Sequence, residues 1–242
     1  MDPLVIVTGG SSGIGHAVLA TAPEGTHRIT VSRRPAEDVA PGYLEADLAE
    51  PDAWERVGHV LDAVATEREW RRITFVQSAG TLDPTGFAGE VDPGRYERNL
   101  LLNAVAPLAL GHRFLAAVSH LRCRRELAIV TSGAADNAVA GWSSYGAAKA
   151  AVDRWVSTVA VEQKQRGGVR VLALNPGVTD TAMQDLIRGL DARDFPQVDR
   201  YRERHAAGEL VDPTTIARAA WDVLDDDSIP AGTKVNLQAH LP

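Results

Sequence analysis

The chain has 242 residues, 45% hydrophobic and 24% charged, with a formal net charge of −7. That length suits one large α/β domain, and the composition is that of an ordinary soluble protein. The acidic balance argues against a nucleic-acid groove, which needs a basic stripe, and the single cysteine excludes an internal disulfide or a cysteine metal site.

Met1 leads directly into the apolar run LVIV. No basic segment and long apolar core precede it, so no signal peptide is expected. The apolar stretches read as too short to span a membrane. A cytoplasmic protein with no membrane partner is the expectation, and the lone Cys123 fits a reducing compartment. Its arginine neighbours would lower its pKa. The arginines at 68, 71, 72 and at 122, 124, 125 read as solvated charge near helix ends and strand starts.

Short runs rich in Val and Ile predict strands at 4–8, 28–32, 73–78, 126–132, 169–175 and 234–237. They lack clean alternation, as parallel strands covered on both faces do. Helical segments fall between them, at about 13–22, 51–69, 95–120, 143–166 and 213–227. Alternating strand and helix predicts one α/β domain over 1–242: a doubly wound parallel sheet in three α/β/α layers. Strand C-termini then share one rim, where ligands bind. The segment NLLLNAVAPLALGHRFLAAV and the helix carrying Ala148, Val152, Trp155, Val156 and Val159 are apolar nearly all round. Such helices need cover on every side, either from the same chain or from a second copy. A homo-oligomer, dimer or tetramer, is expected.

TGGSSGIG at 8–15 follows the first strand and opens the first helix. Glycines at 9, 13 and 15 permit a tight turn and let a phosphate approach the backbone, and the helix N-terminus offers N–H groups to it. Ser11 and Ser12 add hydroxyls. The same spacing also serves a plain tight turn. The second strand ends in Ser32-Arg33-Arg34, with the first acids later, at Glu37 and Asp38. An arginine there suits a 2′-phosphate and points to NADP(H) rather than NAD. Asp47, after the short YLEA run, is placed to meet an adenine edge.

In WSSYGAAKA at 142–150, Tyr145 and Lys149 lie four apart on one helix face. A free tyrosine has a pKa of about 10, and a nearby ammonium favours the phenolate. By itself this spacing is common on helix surfaces. Ser144 points away around the helix, and Ser143 sits at an N-cap position, where it would bond backbone N–H groups. Ser132, at the end of LAIVTS, is the better partner for a substrate carbonyl.

TGGSSGIG, QSAG at 77–80, Asn103, Ser132, Tyr145-x-x-x-Lys149 and NPGVTDT at 175–181 together resemble the short-chain dehydrogenase/reductase family over nearly the whole chain. TSGAADNAVAGWSSYGAAKAAVD, NPGVTDTAMQ and the stretch from ARDFPQVD to AGTKVNL are most similar to bacterial benzil reductases and the related sepiapterin reductases. The resemblance implies a Rossmann-like fold, NADP(H) and reduction of a small ketone or diketone. Tyr145 would be the general acid. Lys149 would lower its pKa and hold the nicotinamide ribose, Ser132 would orient the carbonyl, and Asn103 would position a relay water. Gly9, Ser11, Ser12, Gly13, Ile14, Gly15, Arg33, Arg34, Asp47, Leu48, Ala79, Gly80, Tyr145, Lys149, Pro176, Gly177, Val178, Thr179 and Thr181 would hold the cofactor. Ser132, Trp142, Tyr145 and Asn236 would meet the substrate, with Phe195 as a second apolar wall and a roof from residues near 82–94 and 182–212. No metal ligand set is expected.

Three departures stand out. Gln77-Ser78 replaces the usual Asn-Asn, Thr179 replaces an aliphatic residue, and Asn236 stands where sepiapterin reductases carry an aspartate. The last weakens a pterin substrate, the alternative reading. A non-catalytic NADP-binding sensor is the alternative of another class. It fits less well because Ser132, Tyr145 and Lys149 are all present. An extended sugar-nucleotide epimerase would need a larger C-terminal region.

Overall fold

The computed structural model describes residues 1–36, 38–40 and 42–241. Seven parallel strands form one sheet: β1 (Pro3–Thr8), β2 (His27–Ser32), β3 (Gly42–Glu45), β4 (Arg72–Gln77), β5 (Arg124–Val130), β6 (Arg170–Asn175) and β7 (Lys234–Asn236). Their order is β3-β2-β1-β4-β5-β6-β7, so the direction of winding reverses between β1 and β4. Along β1, Leu4 and Ile6 enter one apolar core while Val5 and Val7 enter the other. Leu127 and Ile129 of β5 likewise face opposite Ala128. Both faces of each central strand are buried, which is why the sequence shows runs rather than alternation.

One face carries α2 (Asp52–Glu67), α4 (Ala106–Ala117) and α5 (Ser143–Arg166), with Val57, Leu61, Leu110, Phe114, Val152 and Val156 in the core. The other carries α1 (Gly13–Ala20) and α8 (Pro213–Asp225). The Trp221 indole N–H ties α8 to the Val18 carbonyl at 3.1 Å. Two of these elements begin on clear local signals. Asp212 caps α8 by accepting from Thr214 and Thr215 N–H groups, with Pro213 in the first turn. Asp92 caps α3 (Pro93–Leu100) in the same way, through Arg95 N–H.

Four expectations change. β3 is a strand that its short, half-exposed sequence hid. The helix predicted over 95–120 starts at Pro93 and contains a π-helical turn, Leu101–Val105, before α4. Pro93–Ala117 is long and apolar enough to cross a membrane, contrary to the reading that all apolar stretches are too short. In the fold its Leu110 and Phe114 are fully buried against the sheet, as in a core helix. Cys123 has its thiol pKa raised by burial, which outweighs the opposing Arg125 charge.

The arginine clusters are also not simply solvated. Glu126 of β5 is fully buried and is gripped by Arg72 Nε at 2.6 Å, Arg124 Nε at 3.0 Å and Arg170 Nη1 at 3.4 Å, with the Thr74 hydroxyl donating at 3.2 Å. Arg72 and Arg124 continue to Asp225 and Asp227 at the end of α8. This cluster pins three adjacent strands at the rim opposite their C-terminal ends. Removing the carboxylate takes from three guanidinium groups the buried anion they share, and losing one partner of a buried pair costs about 3–5 kcal/mol. Glu126→Gln is expected to lower unfolding free energy by roughly that amount, as measured by urea denaturation.

Candidate active site

The C-terminal ends of β1, β4, β5 and β6 open on a cleft of about 930 Å³. After β1 the chain turns through Gly9 with φ +74°, where a Cβ would lie 2.8 Å from Ala79 Cα. Gly13 takes φ +56° at the first position of α1. Ser12, the N-cap of α1, makes no side-chain capping bond. The first-turn N–H groups are therefore free to meet an anion. Ser11, Ser12 and Ile14 line the cleft beside them, while Gly15 is buried against the Gly9 carbonyl.

Past β4, Ser78 and Ala79 N–H groups donate to the Thr8 hydroxyl at 3.2 and 3.3 Å. Gln77 is buried, and its longer side chain reaches the Pro107 carbonyl of α4 at 3.0 Å. That contact accounts for the Gln at this position. At the end of β2, Arg33 and Arg34 are exposed and line the cleft, and Glu37 lies outside the described residues. Asp47 accepts from Ala49 N–H at 3.0 Å and from Arg98 at 2.5 Å, so its carboxylate is held by an arginine rather than standing free. Leu48 lines the same end.

At the other end of the cleft, Ser132 follows β5 and Tyr145 and Lys149 rise from the first turns of α5. The Lys149 ammonium donates to the Val130 carbonyl at 2.9 Å and lies 5.7 Å from the Tyr145 ring centre. Burial lowers the Lys149 pKa to about 8, and Asp153 opposes it. Burial also pushes the Tyr145 phenol up to about 12. A hydrogen bond with Ser132 pulls the other way, and Tyr201 adds to the rise. The net shift of Tyr145 is thus upward, because desolvation dominates.

Asn103 sits in the π-helical turn and is fully buried. Its amide donates to the Thr81 and Asn99 carbonyls at 2.8 and 3.1 Å, and its carbonyl oxygen accepts from Thr81 N–H at 3.1 Å. The side chain therefore braces the segment after Gly80.

Ser143 is not an N-cap. Trp142 holds that place without a side-chain bond, and the Ser143 hydroxyl meets the Tyr96 hydroxyl at 3.2 Å. Trp142 lines the cleft, edge-on to Tyr145 with ring centres 5.8 Å apart. Phe195 does not line the wall directly. It is fully buried and stacks on Trp142 at 4.8 Å, supporting it from behind. Asn236 is exposed on β7 and accepts from Gln238 N–H at 3.2 Å, so it caps the last turn and is not among the cleft-lining residues.

Pro176, Gly177, Val178, Thr179 and Thr181 follow β6 along the cleft. Thr179 is buried and donates to the Pro176 carbonyl at 3.3 Å, a bond an aliphatic residue would not make. Two short helices missed in the sequence, α6 (Ala182–Arg188) and α7 (Val198–Ala206), form the roof. They bring Met183, Gln184, Ile187, Arg200, Tyr201 and Arg204 to the cleft. Only Leu82 and Asp83 come from the other expected roof segment, 82–94. The one sequence signal for the π turn is Pro107, which has no N–H to give the Asn103 carbonyl four residues back.

The short chain dehydrogenase family model matches residues 3–189. The chain belongs to the short-chain dehydrogenase family. It is 31% identical over 227 residues to a benzil reductase, (S)-benzoin forming, of Bacillus subtilis, covering 92% of this chain and 93% of that one. A sepiapterin reductase of Rattus norvegicus is 29% identical over 79% of this chain and 72% of its own. A short-chain dehydrogenase/reductase of Saccharomyces cerevisiae superposes with a TM-score of 0.84 over 99% of this chain and 100% of that one, at 23% identity. The protein is therefore an oxidoreductase with the Rossmann-like fold of this family.

The family uses a nicotinamide cofactor, and the site fits one. The glycine turn leaves no room for a side chain between Gly9 and Ala79. The uncapped N-terminus of α1 suits a diphosphate. The buried Lys149 ammonium lies on the cleft floor, between the strand end and Tyr145.

Keeping that ammonium buried costs stability. The unfolded chain holds the Lys149 proton to about 10.5, while the folded chain loses it near 8. Between those values the unfolded state binds more protons, so this contribution makes the protein more stable as pH rises across that window. Lys149→Met is expected to stabilise the protein at pH 7 by on the order of 3 kcal/mol. The gain should vanish above the upper value. Denaturation curves at neutral and high pH check both the size and the sign.

Proposed function

We propose that this short-chain dehydrogenase is an NADPH-dependent carbonyl reductase acting on a small ketone or diketone. The observation that carries the reading is the meeting of Ser132, Tyr145 and Lys149 beside an aromatic wall of Trp142 and Tyr201. The Ser132 hydroxyl and the Tyr145 phenol approach from strand and helix, so one carbonyl oxygen can accept from both. A phenol pushed up to about 12 keeps its proton at neutral pH. It is thus the acid form, as reduction requires, and the developing alkoxide is basic enough to take that proton.

Lys149 supplies positive charge beneath the tyrosine and compensates the phenolate as the proton leaves. When bound, reduced nicotinamide supplies the hydride to the carbonyl carbon; the protein supplies position and the proton. Asn103 holds the Thr81 segment that shapes the cofactor side of the cleft.

Preference for the phosphorylated cofactor rests on Arg33 and Arg34, exposed where β2 ends and suited to a 2′-phosphate. The backbone of Ala79, Gly80 and 176–181, with Asp47 and Leu48, would complete its binding site. The aromatic wall suits a flat aryl carbonyl compound, in line with the benzil reductase among the relatives. Val105 and Val161, exposed on the sheet-covering helices, support the expected homo-oligomer.

A panel of benzil, other diketones, quinones and pterins, each with NADPH, tests the reading. Loss of NADPH absorbance with the diketones is expected. NADPH binding without turnover of any of them would make the chain a sensor instead. Tyr145→Phe should lower kcat by about 10²–10⁴-fold while NADPH affinity holds; steady-state kinetics and fluorescence titration check this. Arg33→Ala should weaken NADPH binding by about 10- to 100-fold and leave NADH binding nearly unchanged. Equal weakening of the two would refute the phosphate assignment.

A further inference from the structure

Lys234 opens the edge strand β7, and its ammonium meets three groups from two other parts of the chain. It lies 2.6 Å from an Asp136 carboxylate oxygen and 2.7 Å from one of Asp153, and it donates to the Ser132 backbone carbonyl at 3.2 Å. The geometry of these partners is specific. Ser132 precedes the short 3-10 turn Gly133–Ala135, and Asp136 follows it. One ammonium therefore grips both ends of the turn that aims Ser132. Within the turn, the Ser132 hydroxyl accepts from Ala134 N–H at 3.2 Å, so the turn and the hydroxyl direction are linked. The third partner, Asp153, lies on α5 four residues after Lys149, on the same face. Its side chain is only 19% exposed, and its charge acts on Lys149.

We infer that Lys234 is a positioning residue for the reaction centre. It locks the serine turn of β5 to the helix that carries Tyr145 and Lys149. The inference rests on the reading that Ser132 binds the reacting carbonyl. Two side chains from different elements must meet one oxygen atom, and an error of about 1 Å in such an arrangement costs about 100-fold in rate. The two carboxylates bring the turn and the helix close only if a cation stands between them. Without it they repel, and Asp153 is left buried with its charge unpaired.

A double-mutant cycle separates positioning from mere support of the fold. Lys234→Met is expected to lower kcat for benzil by about 10- to 100-fold, with NADPH affinity held. Lys234→Arg should recover most of the rate, because a guanidinium can still bridge two carboxylates. In the Ser132→Ala background, Lys234→Met should cause no further loss. An equal loss with and without Ser132 would overturn the inference. Full turnover by Ser132→Ala alone would instead overturn the underlying reading of the serine. Melting curves check folding. If Lys234→Met does not fold, Asp136→Asn, at an exposed side chain, gives the same cycle with a smaller first loss and the same two outcomes.

Discussion

A parallel sheet ends every strand on the same side, and most of this protein's chemistry follows from that constraint. The ends of β1, β4, β5 and β6 each release a short loop onto one rim. Winding reverses between β1 and β4, so the loops there diverge and leave a crevice. The glycine turn, the segment after Gln77, the serine turn and the Asn175–Thr181 stretch all border it. No long-range folding device is needed to gather them. The opposite rim carries the complementary task, with the Glu126 cluster fastening β4, β5 and β6.

Tyr145 and Lys149 are buried at the edge of the cleft, and that sets their electrostatics. Tyr145 and Lys149 shift in opposite directions, yet both shifts favour the neutral form. Trp142, Phe195 and Tyr201 pack together as an aromatic cluster beside them. Burial of this kind keeps a phenol protonated at neutral pH and makes each nearby charge act strongly. The same burial puts a premium on fixed geometry, since a misplaced buried polar group loses its partner. The bonds of Asn103, Gln77 and Lys234 supply that rigidity.

Most of the fold was legible because its signals are local. Six of the seven strands are short apolar runs, and the glycine turn and the Tyr145–Lys149 spacing lie within single elements. β3 was hidden because an edge strand alternates between exposed and half-buried residues and carries little apolar weight. The roof helices were missed for a related reason. They are rich in charge and bury only a few side chains, such as Ile187 and Val198. Misplaced residues share another cause, namely partners far away in sequence. Ser143 meets Tyr96, Arg72 and Arg124 meet Glu126, and Asn236 turns back to its own chain end. Spacing rules describe neighbours on one element and say nothing of such pairs.

The roof enters and leaves the fold at almost one point. Thr179 and Val211 pair as a parallel bridge, with Asp180 N–H donating to the Val211 carbonyl at 2.9 Å. Everything between them is a closed excursion from the sheet. A segment whose ends already meet can change length or composition at little extra cost in loop-closure entropy. It can do so without disturbing β6 or α8, as long as Phe195 and Tyr201 keep their packing on Trp142. The chain is thus built in two parts: a sheet whose rim is fixed by the fold, and a visor over the cleft that hangs from one hinge point.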